Sequence, residues 1–298
     1  MDVLVIGDTA IDNFYEVDRL PRANTASEVM GFRQFYGGMG ANTAVVGRSI
    51  GLKTGLVSVI GTDAEDYRMY LQNLGIKLFL KGVFGDTTRS LFFKTNDDLI
   101  SFFYKGVTEK LNELDPVKDL EITKKVIKDV GCIYMARTYL RLQYKMASMG
   151  KDKFIVYNPG YGVFKFEEVP DIFYKILKKT SVLILNHHEL EHLKKLGFNP
   201  WKKNLGPKVF LVTKGDEGCT IYSGKQEMNV PVYKTKSLDG SGAGDAFNAG
   251  FIAGQLRKYD LLNSVKLGNA TASFIVEKWG CQTNLPTWDA VLSRYEQI

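Results

Sequence analysis

Six short apolar runs recur along this chain: Val3-Leu4-Val5-Ile6, Leu56-Val57-Ser58-Val59-Ile60, Cys132-Ile133-Tyr134-Met135, Phe154-Ile155-Val156-Tyr157, Val182-Leu183-Ile184-Leu185 and Val209-Phe210-Leu211-Val212. A strand wetted on one face alternates apolar and polar residues. These runs are apolar at both parities, as strands covered on both sides must be. Between most of them lie segments of helical character, at 41–50, 66–74, 140–149, 169–178 and 187–196. Strand and helix in alternation predict an α/β protein whose parallel sheet carries helices on both faces. With 298 residues, 45% of them hydrophobic, the chain can bury a large core and is no disordered polymer.

Residues 13–36 and 77–105 break the alternation with aromatic and β-branched runs. Arg89-Ser90-Leu91-Phe92-Phe93-Lys94 and Leu99-Ile100-Ser101-Phe102-Phe103-Tyr104 flank the turn-prone Thr95-Asn96-Asp97-Asp98, a hairpin pattern. Its aromatics need a cover. A small β lid over the main sheet would supply one, and so would a homodimer contact through that lid. No repeat or long linker divides the chain, so a single domain over 1–298 is expected.

The net charge of +6 comes from scattered basic residues, such as Lys124-Lys125, Lys178-Lys179 and Lys202-Lys203. That scatter suits solvated helix faces better than a nucleic-acid partner. Cys132, Cys219 and Cys281 are far apart and form no C-x-x-C pair, which speaks for a reducing compartment over a disulfide scaffold. No signal-peptide pattern and no run of about 18 apolar residues occurs, so no membrane partner and a cytoplasmic location are expected.

Glycine is in excess, 29 of 298 residues or about a tenth, against a usual ~7%. One cluster is Asp239-Gly240-Ser241-Gly242-Ala243-Gly244-Asp245, followed by a small-residue run that suits a closely packed helix. Unobstructed N–H groups at a helix start, aided by the helix dipole, favour a phosphate or the charge that develops on one in transfer. The same dipole would keep Asp245 ionised and ready to receive a hydroxyl proton. The alternative is a turn that merely packs a helix on a sheet. Neither a Rossmann nor a Walker-type spacing is present. A second cluster, Gly37-Gly38-Met39-Gly40-Ala41-Asn42, lets a ligand approach the backbone and places Asn42 to bind a polyol hydroxyl, or else is a helix-packing turn. Asp12, just beyond the first strand, is a candidate partner, because open α/β sheets bind ligands at their carboxyl ends.

These residues resemble the ribokinase-like (PfkB-type) family of carbohydrate and nucleoside kinases. Gly37, Gly38 and Asn42 match its GG-x-x-x-N segment. Asp239, Gly242, Ala243, Gly244 and Asp245 match D-T-x-G-A-G-D, with Gly240 in place of the usual threonine. Within the family the chain looks most like the archaeal nucleoside kinases, through Tyr36-Gly37-Gly38 and the tail from Gly280 to Trp288. The resemblance implies a three-layer αβα sandwich with a mostly parallel central sheet and a small β-sheet lid. It implies ATP and Mg²⁺, with N-x-x-E on Asn186 and Glu189 for Mg²⁺ and phosphate through water. A nucleotide segment would fall on Thr213, Lys214, Gly215 and Gly218, with Asn269 beside the adenine. A monovalent cation such as K⁺ would lie near Asp239 and Ser241, an inference that Gly240 weakens.

One competing motif exists. His188-Glu189-Leu190-Glu191-His192 is a literal H-E-x-x-H, the pattern of a zinc protease, but no third histidine follows it. The expected activity is therefore transfer of the γ-phosphoryl group of ATP to the 5′-hydroxyl of a nucleoside. Asp245 would be the base, Gly242, Ala243 and Gly244 the anion hole, and Asp12 and Asn42 the ribose ligands. Phe102 or Tyr104 of the lid would contact the nucleobase, or else serve only to pack the lid. A sugar kinase acting on ribose, fructose or a sugar phosphate is the same-fold alternative, and Met39, where such kinases often carry lysine, leans toward nucleosides.

Overall fold

The computed structural model describes residues 1–298 apart from 96, 97, 203 and 225, so the centre of the Thr95–Asp98 turn and the second lysine of Lys202-Lys203 lie outside the described residues. Thirteen strands are formed among the described residues: β1 Val3–Ile6, β2 Ala10–Val17, β3 Val29–Gly37, β4 Thr54–Gly61, β5 Lys77–Val83, β6 Thr88–Lys94, β7 Leu99–Tyr104, β8 Cys132–Ala136, β9 Phe154–Asn158, β10 Val182–Asn186, β11 Val209–Thr213, β12 Cys219–Ser223 and β13 Gln226–Val230. The helices are α1 Met39–Ser49, α2 Glu65–Asn73, α3 Lys124–Lys128, α4 Leu140–Met149, α5 Asp171–Leu177, α6 His187–Lys195, α7 Ala243–Leu256, α8 Leu261–Ile275 and α9 Trp288–Tyr295.

Nine strands make one sheet in the order β13-β12-β11-β10-β9-β8-β1-β4-β5, parallel from β11 through β5 and closed at the other edge by the antiparallel pair β12 and β13. All six apolar runs are strands of it. Parity assigns their side chains to two cores. Val3, Val5, Tyr134, Val156, Val182 and Ile184 pack on the side of α1, α2, α7 and α8. Leu4, Ile6, Ile133, Met135, Ile155, Leu183 and Leu185 pack on the side of α4, α5 and α6. The result is helix, sheet, helix. Chain order runs outward in both directions from β1 and β8, so a crevice opens at their carboxyl ends.

The second sheet, β3-β2-β6-β7, corrects the expected lid boundaries. Residues 77–83 belong to the large sheet, where β5 pairs in parallel with β4, and only 88–104 join the small one. The 77–83 run follows a helix and alternates at an edge, which a lid strand would also do, so composition could not separate the two. In the small sheet the aromatic doublets split by strand parity. Phe14, Phe35, Phe92 and Phe103 form an inner stripe that ends on Trp279 and Tyr161. Tyr15, Phe32, Phe93 and Phe102 form an outer one.

Some of the glycine excess is packing. A Cβ at Gly250 would lie 2.3 Å from Thr271 Oγ1, and one at Gly254 would lie 2.9 Å from the Ser264 Cα, so glycines let α7 and α8 lie close together. No helix among the described residues is long and apolar enough to cross a membrane.

Candidate active site

The crevice holds a cavity of ≈ 290 Å³ whose walls include Asp12, Gly38, Met39, Asn42, Asn186, Glu189, Thr213, Gly242, Gly244 and Asp245, with Phe92 and Phe103 of the small sheet above. Residues from both ends of the chain thus meet. A second cavity of ≈ 480 Å³ is lined by Gly215, Asp216, Val232, Tyr233, Gly240, Ala243 and Asn269. The glycine-rich loop is shared between the two, with Gly242 and Gly244 facing the first and Gly240 and Ala243 the second.

Gly242 caps α7 in the left-handed region at φ 75°, and a Cβ there would lie 2.7 Å from Cys281 Cβ. Glycine is required at that point, whereas Gly240 and Gly244 face open space. The Ala243 N–H, one of the three expected to form an anion hole, closes a turn on the Gly240 carbonyl at 3.3 Å. Gly244, in the first turn of α7, has no carbonyl one turn behind it within the helix, and its N–H is available. Asp239 braces the loop, its carboxylate accepting from the Ser241 N–H (2.9 Å) and the Gly280 N–H (3.1 Å).

Asp245 is buried, and its Oδ2 accepts from Asn42 Nδ2 at 2.9 Å. The helix dipole does not keep it an ordinary carboxylate. Burial raises its pKa from 3.8 to about 7, with Asp8 and Asp12 adding to the rise and the Asn42 hydrogen bond and Arg137 opposing it. Desolvation outweighs the dipole here because the side chain has left water almost completely. Asp12 is likewise pushed up to about 6, mainly by burial. It lies inside β2, and the carboxylate that directly follows β1 is Asp8. Gly37 makes room for Asp12, since a Cβ there would sit 2.0 Å from Asp12 Oδ2. Gly38, at φ 98°, begins α1 where a Cβ would meet the Asp8 carbonyl oxygen at 2.7 Å.

Asn186 and Glu189 form a capping box at the start of α6. Glu189 accepts from the Asn186 N–H (3.0 Å) and Nδ2 (2.8 Å), and Asn186 Oδ1 accepts from the Glu189 N–H (2.8 Å). Burial raises the Glu189 pKa to about 7. The same bonds remove Glu189 from any role between His188 and His192, and the His192 ring packs against Phe164. No cluster of three or more His, Cys, Asp or Glu side chains that could hold a metal occurs among the described residues. Thr213 reaches the first cavity and Gly215 the second, while Gly218, at φ 93°, where an added Cβ would lie 2.1 Å from the Val230 carbonyl oxygen, lines neither. Lys214 also lies outside both linings. Asn269 borders the second cavity, with its amide donating to the Pro231 carbonyl at 2.7 Å.

The lid expectation needs correcting. Phe103 lines the cavity and stacks on Tyr161 at 4.7 Å, whereas Phe102 and Tyr104 point to the opposite face of β7. Sequence reasoning also missed Asp8, Arg137, Asn158 and Gln282. The rule that singled out Asp12, polar residues at the carboxyl ends of parallel strands, would have found the first three, because they follow β1, follow β8 and end β9.

The pfkB family carbohydrate kinase model matches residues 1–288. The chain is 32% identical to a nucleoside kinase of Methanocaldococcus jannaschii, covering 99% of this chain and 97% of that one. It is 31% identical to a nucleoside kinase of Methanothermobacter thermautotrophicus, covering 99% and 95%. The crystal structure of the M. jannaschii nucleoside kinase, described as an archaeal member of the ribokinase family, superposes with a TM-score of 0.87 at 31% identity over 100% of this chain and 98% of that one. A crevice at the switch point of a parallel sheet, a glycine-capped helix carrying a buried aspartate, and these likenesses agree: the chain belongs to the PfkB family of carbohydrate kinases and is a phosphotransferase with an alcohol group as acceptor.

Proposed function

We propose that the protein transfers the γ-phosphoryl group of ATP to the 5′-hydroxyl of a nucleoside. The observation that carries this reading is the placement of Asp245: buried, held through Oδ2 by Asn42, and in one cavity wall with Asp12, Gly38 and Gly244. Asp245 receives the proton of the acceptor hydroxyl on its other oxygen, Oδ1. A hydroxyl is far less acidic than a carboxyl group, so the proton moves late, as the oxygen bonds to phosphorus. A pKa of about 7 places Asp245 closer to that task than an ordinary carboxylate. The free N–H groups at the start of α7 face the charge on the transferring group. Asp12 and Asn42 hold the ribose hydroxyls, and the second cavity takes the adenine beside Asn269. Two relatives bearing the name nucleoside kinase support the choice of acceptor.

Mg²⁺ fits this site indirectly. The oxygens of Asn186 and Glu189 each accept one hydrogen bond and keep a second lone pair for a metal-bound water. The bound ion would neutralise the β- and γ-phosphate oxygens. A monovalent cation at Asp239 and Ser241 fits less well, because Gly240 offers no hydroxyl where the family usually has threonine, although each Asp239 oxygen accepts only one N–H. No step is assigned to one.

The small sheet acts as the lid that excludes water, through Phe92 and Phe103. Its outer face leaves Val29, Phe32, Ile100 and Phe102 exposed, an apolar patch that a second copy of the chain would cover. The discriminating experiment offers ATP, Mg²⁺ and a panel of nucleosides, pentoses, hexoses and sugar phosphates, with ADP release as the readout. Turnover with nucleosides that Asp245→Asn abolishes is the expected result. ADP release with sugars alone would replace the acceptor by a sugar.

A further inference from the structure

Gln282, in the tail from Gly280 to Trp288, is given no role by the readings above, yet its side chain ties that tail to the Gly37–Asn42 segment, which Asn42 in turn joins to Asp245. Its Nε2 donates to Asn42 Oδ1 at 2.8 Å and to Tyr67 Oη at 2.9 Å, and Tyr67 in turn donates to the Gly37 carbonyl at 2.8 Å. All of these side chains are buried. Tyr67 is held in place by stacking on Tyr36 at 4.2 Å with the rings 3° from parallel.

Donor logic allows this chain of bonds one direction. The Gly37 carbonyl can only accept, so the Tyr67 hydroxyl spends its proton there and receives from Gln282. The amide group of Gln282 is thereby fixed with –NH₂ inward, and Asn42 must offer it oxygen. The remaining end of Asn42 is then –NH₂, which donates to Asp245 Oδ2 at 2.9 Å. The Gln282 Oε1 atom is buried without a partner among the described residues, so the amide keeps its inward orientation with no anchor on its carbonyl side. With Gln282 unable to donate, a protonated Asp245 could donate to an Asn42 oxygen turned toward it, and only the ionised carboxylate itself would hold the –NH₂ in place.

We propose that Gln282 is a positioning residue for phosphoryl transfer: by fixing the orientation of the Asn42 amide, it keeps a hydrogen-bond donor on Asp245 Oδ2 and leaves Oδ1 as the proton acceptor. This rests on the reading of Asp245 as the base. The titratable and charged groups around Asp245 are Asp8 after β1, Asp12 on β2, Tyr134 on β8, Arg137 after β8 and Cys281. None of them occupies the Asn42–Gln282 side of the carboxylate by a hydrogen bond, so the Asn42 donor is the contact that Gln282 controls.

The test compares Gln282→Met and Tyr67→Phe with the parent enzyme in a pH series, using ATP and its best nucleoside. Gln282→Met is expected to lower kcat about 10- to 100-fold, because Asn42 no longer holds its donor on Asp245, with KM for ATP unchanged. The acid limb of the kcat profile should move up by about one pH unit as Asp245 loses the bond that favours its ionised form. Tyr67→Phe should move the same limb less. In an Asn42→Ala background, Gln282→Met should have no further effect on kcat. A lower kcat with an unshifted acid limb, or penalties that add across the Asn42 and Gln282 substitutions, would overturn the proposal. Asp245→Asn is run in parallel. Loss of turnover there with a flat Gln282 response defeats only the positioning role, whereas retained turnover defeats the base assignment on which it stands.

Discussion

Asp8 and Arg137, from the loops after β1 and β8, meet in a buried ion pair with Arg137 Nε 3.0 Å from Asp8 Oδ2. Arg137 is also stacked 4.2 Å over the Tyr161 ring and sits in the left-handed region at φ 66°, where a residue other than glycine is strained. The same guanidinium lowers the pKa of the buried Asp12 and Asp245, though burial outweighs it at both.

Removal of that cation should be costly. Arg137→Leu leaves Asp8 buried without its partner and keeps the strained backbone, and is expected to cost about 3–5 kcal/mol in urea unfolding. Arg137→Gly loses the same pair but relieves the backbone, so it should unfold at a higher urea concentration than Arg137→Leu. Equal midpoints for the two would show that the left-handed conformation carries no strain.

The raised carboxyl groups set a pH dependence for stability. Asp245, Asp12 and Glu189 have ordinary values of 3.8, 3.8 and 4.5 and are raised in the fold to about 7, about 6 and about 7. Between these limits the native state holds protons that the unfolded chain has released. Their stabilising contribution is therefore complete below about pH 4 and is lost as pH rises through about 7. Asp245→Asn removes one buried charge while its carbonyl can still accept from Asn42. It should raise the melting temperature at pH 8 above that of the parent while turnover disappears. A lower melting temperature would mean that the carboxylate is stabilising as an ion.

Turnover should depend on pH in the opposite sense. Only the ionised Asp245 can take a proton, so kcat is expected to rise as pH increases through about 7, apart from other limits. A kcat flat from pH 5 to 8 would contradict a base with this environment.

The two glycines of the anion loop should respond differently to alanine. At Gly242 an added methyl meets Cys281 Sγ at 2.8 Å and the φ is positive, so Gly242→Ala should lose more than ~1 kcal/mol of stability. Gly244 faces open space in the cavity, so Gly244→Ala should keep the parent melting temperature and lose activity instead. The contrast is read from melting curves and ADP release on the same preparations.

A last contrast concerns the aromatic doublet of β7. Phe103→Ala should raise KM for the nucleoside, because Phe103 lines the cavity and stacks on Tyr161, while Phe102→Ala should leave KM unchanged. The reverse pattern would place the substrate on the other side of the small sheet.

The doublets also illustrate what could be read in advance. Phe92-Phe93 and Phe102-Phe103 announce strands whose faces differ, but naming the inner member requires the register of β6 against β2 and β7, set by pairs such as Phe14 with Phe92. Lys77–Val83 could not be assigned to one sheet or the other for the same reason: β5 has edge-strand composition, and its neighbour β4 decides its place. By contrast, each fully apolar run became a strand of the large sheet, because burial on both faces leaves a local signature. The glycine clusters were legible too, since positive φ and close backbone approach at Gly38 and Gly242 are demands that few residues other than glycine meet.

From its sequence alone, then, this protein was bound to a layered parallel sheet, a glycine-capped helix bearing Asp245, and a second glycine segment bearing Asn42, because strand period, turn chemistry and helix starts are local properties. The ionisation of Asp245, the pairing of Asp8 with Arg137 and the orientation imposed by Gln282 were decided only in three dimensions. They depend on desolvation and on bonds between residues as distant as Asn42 and Asp245, 203 positions apart, and neither burial nor such contacts exist until the chain has folded.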